Sequence, residues 1–194
     1  MSERIALFPL RTVLFPQAVL PLRIFETRYV DMVRRCMREQ SGFGVVLIRD
    51  GAEVGGLTAI ADVGCFARIV DFDAMPDGLL GITAQGERRF RILQRDVQKD
   101  GLNLADVEWL DEQGAGLASD QFVELREILA RALAELGDSY PCGAHRMNDA
   151  LWVGSQLGQL LPVSAGFRQN LLEISEATER LGFLDAARAA GDTH

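Results

Sequence analysis

The chain has 194 residues, of which 48% are hydrophobic and 25% charged. These are ordinary values for a globular protein, so they exclude extended disorder and low complexity. Twenty basic and 28 acidic side chains give a net charge of -8. That charge disfavours general binding to nucleic acids and to anionic membranes, because their phosphate groups are repelled. A chain of this length forms one large domain or two small ones.

The cysteines and the N-terminus both indicate a cytoplasmic location. Cys36, Cys65 and Cys142 are far apart and form no CxxC pair. This pattern excludes the common zinc-site spacings and fits a reducing compartment. Charged residues such as Glu3 and Arg4 interrupt the N-terminal segment where a secretory leader would be apolar. We therefore expect a cytoplasmic protein with no membrane partner.

Up to about Leu110 the chain consists of short apolar runs separated by proline and glycine, which is the pattern of β-strands. Gly86 and Glu87 predict a tight hairpin loop between two of the strands. Many short strands at this spacing favour a closed or partly closed barrel. The predicted strands are Arg4–Leu10, Val19–Leu22, Phe43–Arg49, Thr58–Ala61, Gly64–Phe72, Leu79–Gln85, Arg88–Gln94 and Leu104–Trp109.

One helix, Glu26–Met37, is predicted among the strands. Its apolar residues recur every three or four positions and therefore share one face. A stripe with this spacing predicts packing in the core, although methionines also occur on adaptable binding faces. The residues of the stripe are Tyr29, Met32, Val33, Cys36 and Met37.

The rest of the chain predicts helices. Residues 111–118 are polar and rich in glycine, as expected of a connection. Helices follow over Gln121–Leu136, Asn148–Leu161, Ser164–Leu172 and Ser175 to about Ala190. Their wide apolar faces must pack against other elements, so they predict a helical bundle. We expect a β-rich domain over residues 1–117 and a helical domain over residues 118–194.

Catalytic groups are scarce. The two histidines are His145, in a predicted loop, and His194, the last residue. No GxSxG motif is present, and the single lysine, Lys99, lies in a predicted turn where water solvates it, so it is a poor partner for a Ser-Lys dyad. A hydrolase that uses His145 is therefore a weak hypothesis. The lysine is followed by Asp100, which excludes a GK[ST] phosphate loop. We expect a protein that is not an enzyme.

No cofactor or metal is expected either. The best group of carboxylates is Asp71, Asp73 and Asp77. It lacks the spacing of an EF-hand loop and has no histidine partner. Acidic residues next to a Pro-Asp-Gly turn are typical solvated turn residues.

Four arginines form the one basic cluster of the sequence. Strand alternation places Arg89 and Arg91 on the same face. The cluster predicts either the solvated face of a strand paired with nearby acids or a surface that contacts RNA or phosphate. No aromatic residues alternate with the arginines on their face, which favours the solvated face. The cluster comprises Arg88, Arg89, Arg91 and Arg95.

A series of short motifs runs through nearly the whole chain. It comprises Leu7-Phe8-Pro9-Leu10, Leu14-Phe15-Pro16, Leu20-Pro21-Leu22, Ile24-Phe25-Glu26, Arg28-Tyr29, Phe43-Gly44-Val45-Val46, Val63-Gly64, Asp77-Gly78, Gly86 with Arg89-Phe90-Arg91-Ile92, Leu160-Leu161-Pro162, Arg168-Gln169 and Leu171-Leu172-Glu173. In this order the motifs resemble the N-terminal substrate-binding domain of the Lon protease family. Gln17 and Cys65 depart from the pattern, since the family usually has glycine and threonine there.

The resemblance implies an α+β fold: a PUA-like β-barrel with one inserted helix, followed by a C-terminal α-helical bundle. It implies a stand-alone bacterial Lon-domain protein, without the ATPase and the Ser-Lys peptidase of full-length Lon. Such a protein would recognise substrates without cleaving them.

The function that the resemblance implies is a non-catalytic module that binds unfolded or damaged polypeptides, or a specific protein. Its contacts would come from an exposed apolar surface. The alternative is an RNA-binding PUA-like module that uses the Arg88–Arg95 strand, although the net charge disfavours nucleic acid. The oligomeric state is left open. The candidate peptide contacts, each of which could instead belong to the core, are Phe15, Pro16, Phe25, Tyr29 and Met32.

Overall fold

The structure, a computed structural model, describes residues 3–49, 59–74, 79–112, 116–117, 120–143 and 145–190. The chain divides into two compact units, Met1–Leu110 and Asp111–His194. Over the described residues the first unit contains six strands and one helix, and the second contains four α-helices and a short 3-10 helix, Gly137–Ser139. The predicted α+β class is therefore confirmed.

The first unit follows the predicted order of elements with shifted ends. Its helix, α1 (Thr27–Glu39), begins one residue after the predicted start and ends two residues beyond the predicted end. Of the predicted strand Thr58–Ala61, Thr58 lies outside the described residues, and Ile60 forms an isolated bridge with Ile48. The strands are β1 (Glu3–Leu10), β2 (Val19–Ile24), β3 (Phe43–Leu47), β4 (Val63–Ala74), β5 (Leu80–Val97) and β6 (Asn103–Trp109).

The six strands form one mixed sheet in the order β2-β5-β4-β3-β1-β6. β1 and β3 are parallel, whereas the other pairs are antiparallel. β5 also pairs with β6. Five strands therefore form a closed series in which each strand pairs with the next: β5, β4, β3, β1, β6 and β5 again. β2 pairs only with the first part of β5, over Leu80–Gln85. β2 lies outside this closed series of pairings, so the structure gives a six-stranded sheet rather than a clear barrel, and the PUA-like description stays a prediction.

The predicted hairpin at Gly86 and Glu87 is wrong, because β5 runs through both residues as one strand of 18. Gly86 pairs with Ala67 and Arg88 with Phe66, so Glu87 is the extra residue of a bulge. The glycine is required for another reason. A Cβ atom at position 86 would overlap the carbonyl oxygen of Phe15. Close approach of two backbone segments, rather than a turn, explains this glycine.

The core of the first unit is formed mainly by buried side chains of the strands. Its central cluster consists of Ile5, Leu7, Val46, Phe66, Phe90, Ala105 and Val107. The apolar stripe of α1 is also buried from Tyr29 to Cys36, which confirms the predicted packing role. Met37, the last member of the stripe, is 38% exposed. Cys36 and Cys65 are buried, as expected of packing residues.

The second unit is helical, as predicted. α3 is mostly buried and contacts the other three helices. Asp149 caps α3, because its Oδ1 accepts hydrogen bonds from the backbone of Leu151 and Trp152. Ser164 caps the next helix by accepting from the backbone of Phe167, as its position predicts. The helices are α2 (Val123–Leu136), α3 (Ala150–Leu160), α4 (Ala165–Glu173) and α5 (Ala177–Ala190).

A fully buried arginine ties two helices of this unit together. Arg180 of α5 donates from Nε to the carbonyl oxygen of Leu171 at 3.2 Å, and from Nη2 to that of Ile174 at 2.9 Å. Its Nη2 also lies 3.7 Å from a carboxylate oxygen of Glu112. Arg180 thus gives the carbonyl oxygen of Leu171 a second donor beside the backbone N–H of Ile174, and it supplies a donor to the carbonyl oxygen of Ile174 at the C-terminal end of α4.

Candidate functional site

A cleft of about 240 Å³ lies in the first unit, where β1, β2 and β3 end and α1 begins. Its lining is mainly apolar with a few polar groups, the composition of sites that receive another molecule. The apolar lining comes from Phe8, Pro9, Leu10, Leu22, Ile24, Phe25, Tyr29 and Ile48, and the polar lining from Arg23, Glu26, Arg28 and Asn103.

Phe25 is the most exposed apolar side chain of the cleft. It belongs to the two-residue connection between β2 and α1, in which Glu26 has an extended backbone. Its side chain is 70% exposed, whereas Ile24 just before it is buried. An aromatic ring held beside an apolar depression can cover the apolar group of a partner and bury both surfaces.

The aromatic rings at the floor of the cleft pack on other aromatic rings. The ring centroids of Phe8 and Tyr29 are 4.2 Å apart, and Phe8 meets Phe43 edge-on at 5.9 Å. Burial raises the pKa of the Tyr29 hydroxyl above its ordinary value; the charge of Arg28 opposes this shift and that of Glu26 adds to it. Tyr29 therefore stays neutral at physiological pH and contributes a neutral aromatic wall.

Arg28 fixes the polar side of the cleft. Its Nη1 donates to the carbonyl oxygen of Gly101 at 2.8 Å, and its Nη2 lies 2.6 Å from a carboxylate oxygen of Glu26. The guanidinium also lies 4.8 Å from the centroid of the Tyr29 ring. Gly101 has φ +85°, a conformation that glycine adopts without strain. The turn that accepts the hydrogen bond thus depends on this glycine.

The structure separates the five predicted contact residues. Phe25 and Tyr29 line the cleft. Phe15, Pro16 and Met32 do not line it; all three are buried, with Phe15 and Met32 no more than 1% exposed. Their burial agrees with the core role that was the alternative for each candidate, and the binding role of all five residues stays a prediction.

Sequence reasoning did not identify the other ten residues that line the cleft, which are Phe8, Pro9, Leu10, Leu22, Arg23, Ile24, Glu26, Arg28, Ile48 and Asn103. Arg28 immediately precedes the candidate contact Tyr29 in one of the motifs that resemble the Lon family, and this adjacency could have indicated that Arg28 lies near the site. Ile48 and Asn103 carry no local signal, because they reach the cleft only through sheet pairing between distant segments.

The arginine strand is largely occupied by contacts within the protein. The guanidinium of Arg88 lies 3.5 Å from the centroid of the Trp109 ring and 3.8 Å from a carboxylate oxygen of Glu3. The indole Nε1 of Trp109 donates to the same oxygen at 3.0 Å. Arg88 is thus part of a small cluster that fastens β1, β5 and β6 to one another.

The prediction that Arg89 and Arg91 share an exposed face is wrong. Arg89 is completely buried, whereas Arg91 is exposed. Arg91 lies directly opposite Glu108 of β6, and Arg95 is half-buried opposite Ala105.

The remaining chemical candidates do not assemble. Among the residues that the structure describes, no three His, Cys, Asp or Glu side chains lie together as metal ligands would. Asp77 of the carboxylate group and His194 lie outside the described residues. His145 is exposed next to the Trp152 ring, at 5.8 Å between centroids. Lys99 is exposed in a turn closed by Gln98 and Gly101.

Fold and cleft together define a mixed α+β domain with a concave apolar surface open to another molecule. The family model of the ATP-dependent protease La (LON) substrate-binding domain matches residues 4–184. The chain therefore belongs to that family. The family is that of the substrate-binding domain of Lon, not of its catalytic domain.

Solved structures and curated relatives agree with this assignment. The Lon N-terminal domain protein from Xanthomonas campestris is 37% identical with a TM-score of 0.77, over 95% of this chain and 98% of that one. The N-terminal domain of the Mycobacterium avium complex Lon protease has a TM-score of 0.64 at 18% identity, over 94% and 97% of the two chains, and shares the fold.

The Lon protease of Anaeromyxobacter dehalogenans is 27% identical over 185 residues, which is 90% of this chain and 22% of that protein. Lon protease 2 of Myxococcus xanthus is 25% identical over 193 residues, covering 93% and 23%. The chain thus spans about a fifth of the length of these curated relatives. Within the described residues, no helix is long and apolar enough to cross a membrane.

Proposed function

We propose that the chain binds polypeptides without catalysing a reaction, and that the cleft beside Phe25 is the binding site. The observation that carries the proposal is the 70% exposure of Phe25 at the mouth of an apolar cleft. Membership in the LON substrate-binding domain family supports it.

The proposed ligands are unfolded or damaged segments, because only these offer apolar side chains that a folded protein buries. With a volume of about 240 Å³, the cleft has room for one or two large side chains but not for the surface of a folded protein. A buried aromatic or aliphatic anchor of this kind is what dominates binding energy in protein recognition.

The first prediction concerns Phe25→Ala. We expect the variant to bind unfolded polypeptide at least tenfold more weakly, a loss of about 1.4 kcal/mol, because an anchoring ring is removed. Its free energy of unfolding should change by no more than about 0.5 kcal/mol, since the ring is exposed. The measurement is fluorescence anisotropy with labelled lactalbumin that has been reduced and alkylated with iodoacetamide, paired with urea unfolding.

Native lactalbumin serves as the folded competitor, and the alkyl group on the unfolded form is uncharged, so alkylation itself adds no charge. Phe72→Ala is the matched variant: this phenylalanine is 58% exposed in the same unit but lies outside the cleft. Equal losses of affinity in the two variants, or equal binding of folded and unfolded lactalbumin, would contradict the proposed site.

RNA binding by the Arg88–Arg95 strand is the second function, and the exposure of Arg91 is the observation that supports it. Its signature would be binding of a short single-stranded RNA that weakens steeply with salt. Arg91→Gln should abolish that binding and leave lactalbumin binding unchanged. An RNA affinity that salt does not reduce would reject this function.

A further inference from the structure

Asn103 is a buried polar residue in the lining of the cleft. It is the first residue of β6 and is only 9% exposed. Burial alternates along β6, so Asn103, Ala105 and Val107 share one face. Ala105 and Val107 belong to the central cluster of the core. The carboxamide at the end of this apolar face thus occupies a position where an apolar side chain would be the ordinary choice.

The Asn103 side chain has no hydrogen-bond partner within the part of the chain that the structure describes. Its backbone is paired on both sides, opposite Leu7 of β1 and opposite Val97 of β5. The side chain is therefore the part of the residue that faces the cleft. A buried amide group without partners costs free energy that an apolar residue would not cost. A partner that enters the cleft would explain why this position is polar.

Arg28 fixes the segment that carries Asn103. Its Nη1 donates to the carbonyl oxygen of Gly101 at 2.8 Å, two residues before the asparagine. The backbone N–H of Gln98 donates to the carbonyl oxygen of Leu102 at 2.9 Å and closes the turn. The carboxamide is thus held in place before a ligand arrives, which lowers the entropic cost of binding.

We propose that Asn103 binds the backbone of an extended polypeptide segment in the cleft. Its amide oxygen accepts from the N–H of one ligand residue, and its NH2 group donates to the carbonyl oxygen of the same residue. These two groups point to the same side of an extended chain, so one carboxamide can bind both. A neighbouring apolar side chain of the ligand packs on the floor of the cleft and on Phe25.

This inference rests on the proposed function and specifies its ligand. In helices and sheets the backbone N–H and carbonyl groups are already bonded to other backbone groups. An unfolded segment offers them freely, together with apolar side chains. Recognition through the backbone also tolerates many sequences, because every residue except proline carries both groups.

The first test replaces the carboxamide by an apolar group of similar shape. We expect Asn103→Leu to bind alkylated lactalbumin about fivefold more weakly or worse, because each lost neutral hydrogen bond is worth a factor of about two to ten. Its urea midpoint should not fall, since the replaced group has no partner in the described fold. Asn170→Leu is the matched control: Asn170 is exposed on α4, does not line the cleft and should leave the affinity unchanged.

The second test modifies the ligand, so it does not depend on the stability of a variant. Labelled 13-residue peptides with one central phenylalanine carry a single N-methyl group at each of the five central residues in turn. Anisotropy titrations should show a loss of about threefold or more at one position, where the N–H is needed. With Asn103→Ala that additional loss should disappear, because the double-mutant cycle isolates the interaction between the two groups.

The failures of the two proposals are distinguishable. Unchanged lactalbumin affinity in Asn103→Leu, or N-methyl losses that persist in Asn103→Ala, overturns the role of Asn103 while the loss in Phe25→Ala still supports the proposed function. Failure of lactalbumin and all peptides to bind overturns both proposals.

Other occupants of the cleft give their own results. A carboxamide also matches the edge of adenine. Displacement of the peptide by adenosine but not by uridine would assign Asn103 to a nucleobase and overturn the inference. Sedimentation of the same samples tests a second copy of the chain: a dimer that Asn103→Leu dissociates would assign the cleft to self-association and overturn the inference as well.

Discussion

An exposed phenylalanine ring leaves apolar surface in water, and a partner that covers it recovers that free energy. Phe25 is such a ring, whereas Phe15 has no exposed surface. Both residues occur in similar short motifs with proline or glutamate after the aromatic residue. The motifs indicate where the family resemblance lies, but burial decides which aromatic residue can contact a ligand.

Gly86 gives a prediction at the residue scale. An alanine at this position would overlap the backbone of Phe15 and also approach Cys65 Sγ to 3.0 Å. We expect Gly86→Ala to lower the free energy of unfolding by about 1–3 kcal/mol through overpacking. The control is Gly182→Ala in α5, where no neighbouring heavy atom lies within 4 Å of the new Cβ.

Gly182→Ala should instead stabilise the protein by up to about 1 kcal/mol, because alanine has the higher helix propensity. Urea unfolding at neutral pH measures both variants. If Gly86→Ala were as stable as the parent chain, the close approach between β5 and the Phe15 segment would be wrong.

At the scale of elements, β5 shows what the local sequence pattern predicts correctly and what it does not. The alternation of polar and apolar residues identified a strand on each side of Gly86, and both are present. Glycine and a charged residue also resemble a turn, so the sequence favoured two strands. The structure joins them, because β4 and β2 pair with the first half of β5, and β4 and β6 pair with its second half.

Arg180 gives the prediction for helix packing. Arg180→Met removes the two hydrogen bonds to the end of α4 and leaves Glu112, whose side chain is 14% exposed, without this ion pair. Breaking a buried ion pair from one side is strongly destabilising, so we expect a loss of about 3–5 kcal/mol in the free energy of unfolding.

Arg188→Met on the same helix is the matched control. Arg188 is 37% exposed and forms ion pairs with Glu124 at 2.6 Å and Asp185 at 3.0 Å. Pairs at the surface contribute little, so its loss should be below about 1 kcal/mol. Chemical unfolding followed by circular dichroism compares the two variants. Similar losses of unfolding free energy in both variants would show that the buried Arg180 stabilises the second unit no more than a surface arginine does.

At the scale of the whole molecule, the two units differ in secondary structure and in charge. Each strand of the first unit pairs only with strands of the same unit, and the second unit carries most of the net negative charge. The sequence predicted a β-barrel subdomain over residues 1–117 and a helical subdomain over residues 118–194, and these bounds stay a prediction. Each unit has its own buried side chains, which is the physical requirement for an independent domain.

The fragment 1–110 tests this independence. It contains every strand pairing of the sheet, so we expect it to fold and to unfold in a single cooperative thermal transition. Far-ultraviolet circular dichroism should show β structure, and two-dimensional NMR should show dispersed amide signals. A fragment that stays unfolded until residues 111–194 are supplied would reject independent folding of this unit.

The order of the elements, their type, the buried stripe of α1 and the family resemblance all follow from the amino-acid sequence. They depend on local periodicity and on short motifs, which neighbouring residues encode directly. The cleft and the covering of Arg89 depend on tertiary structure. Ile48 and Asn103 join Phe25 only because β1 pairs with both β3 and β6. Such contacts between distant residues arise from sheet register and side-chain packing, and the order of residues along one segment does not specify them.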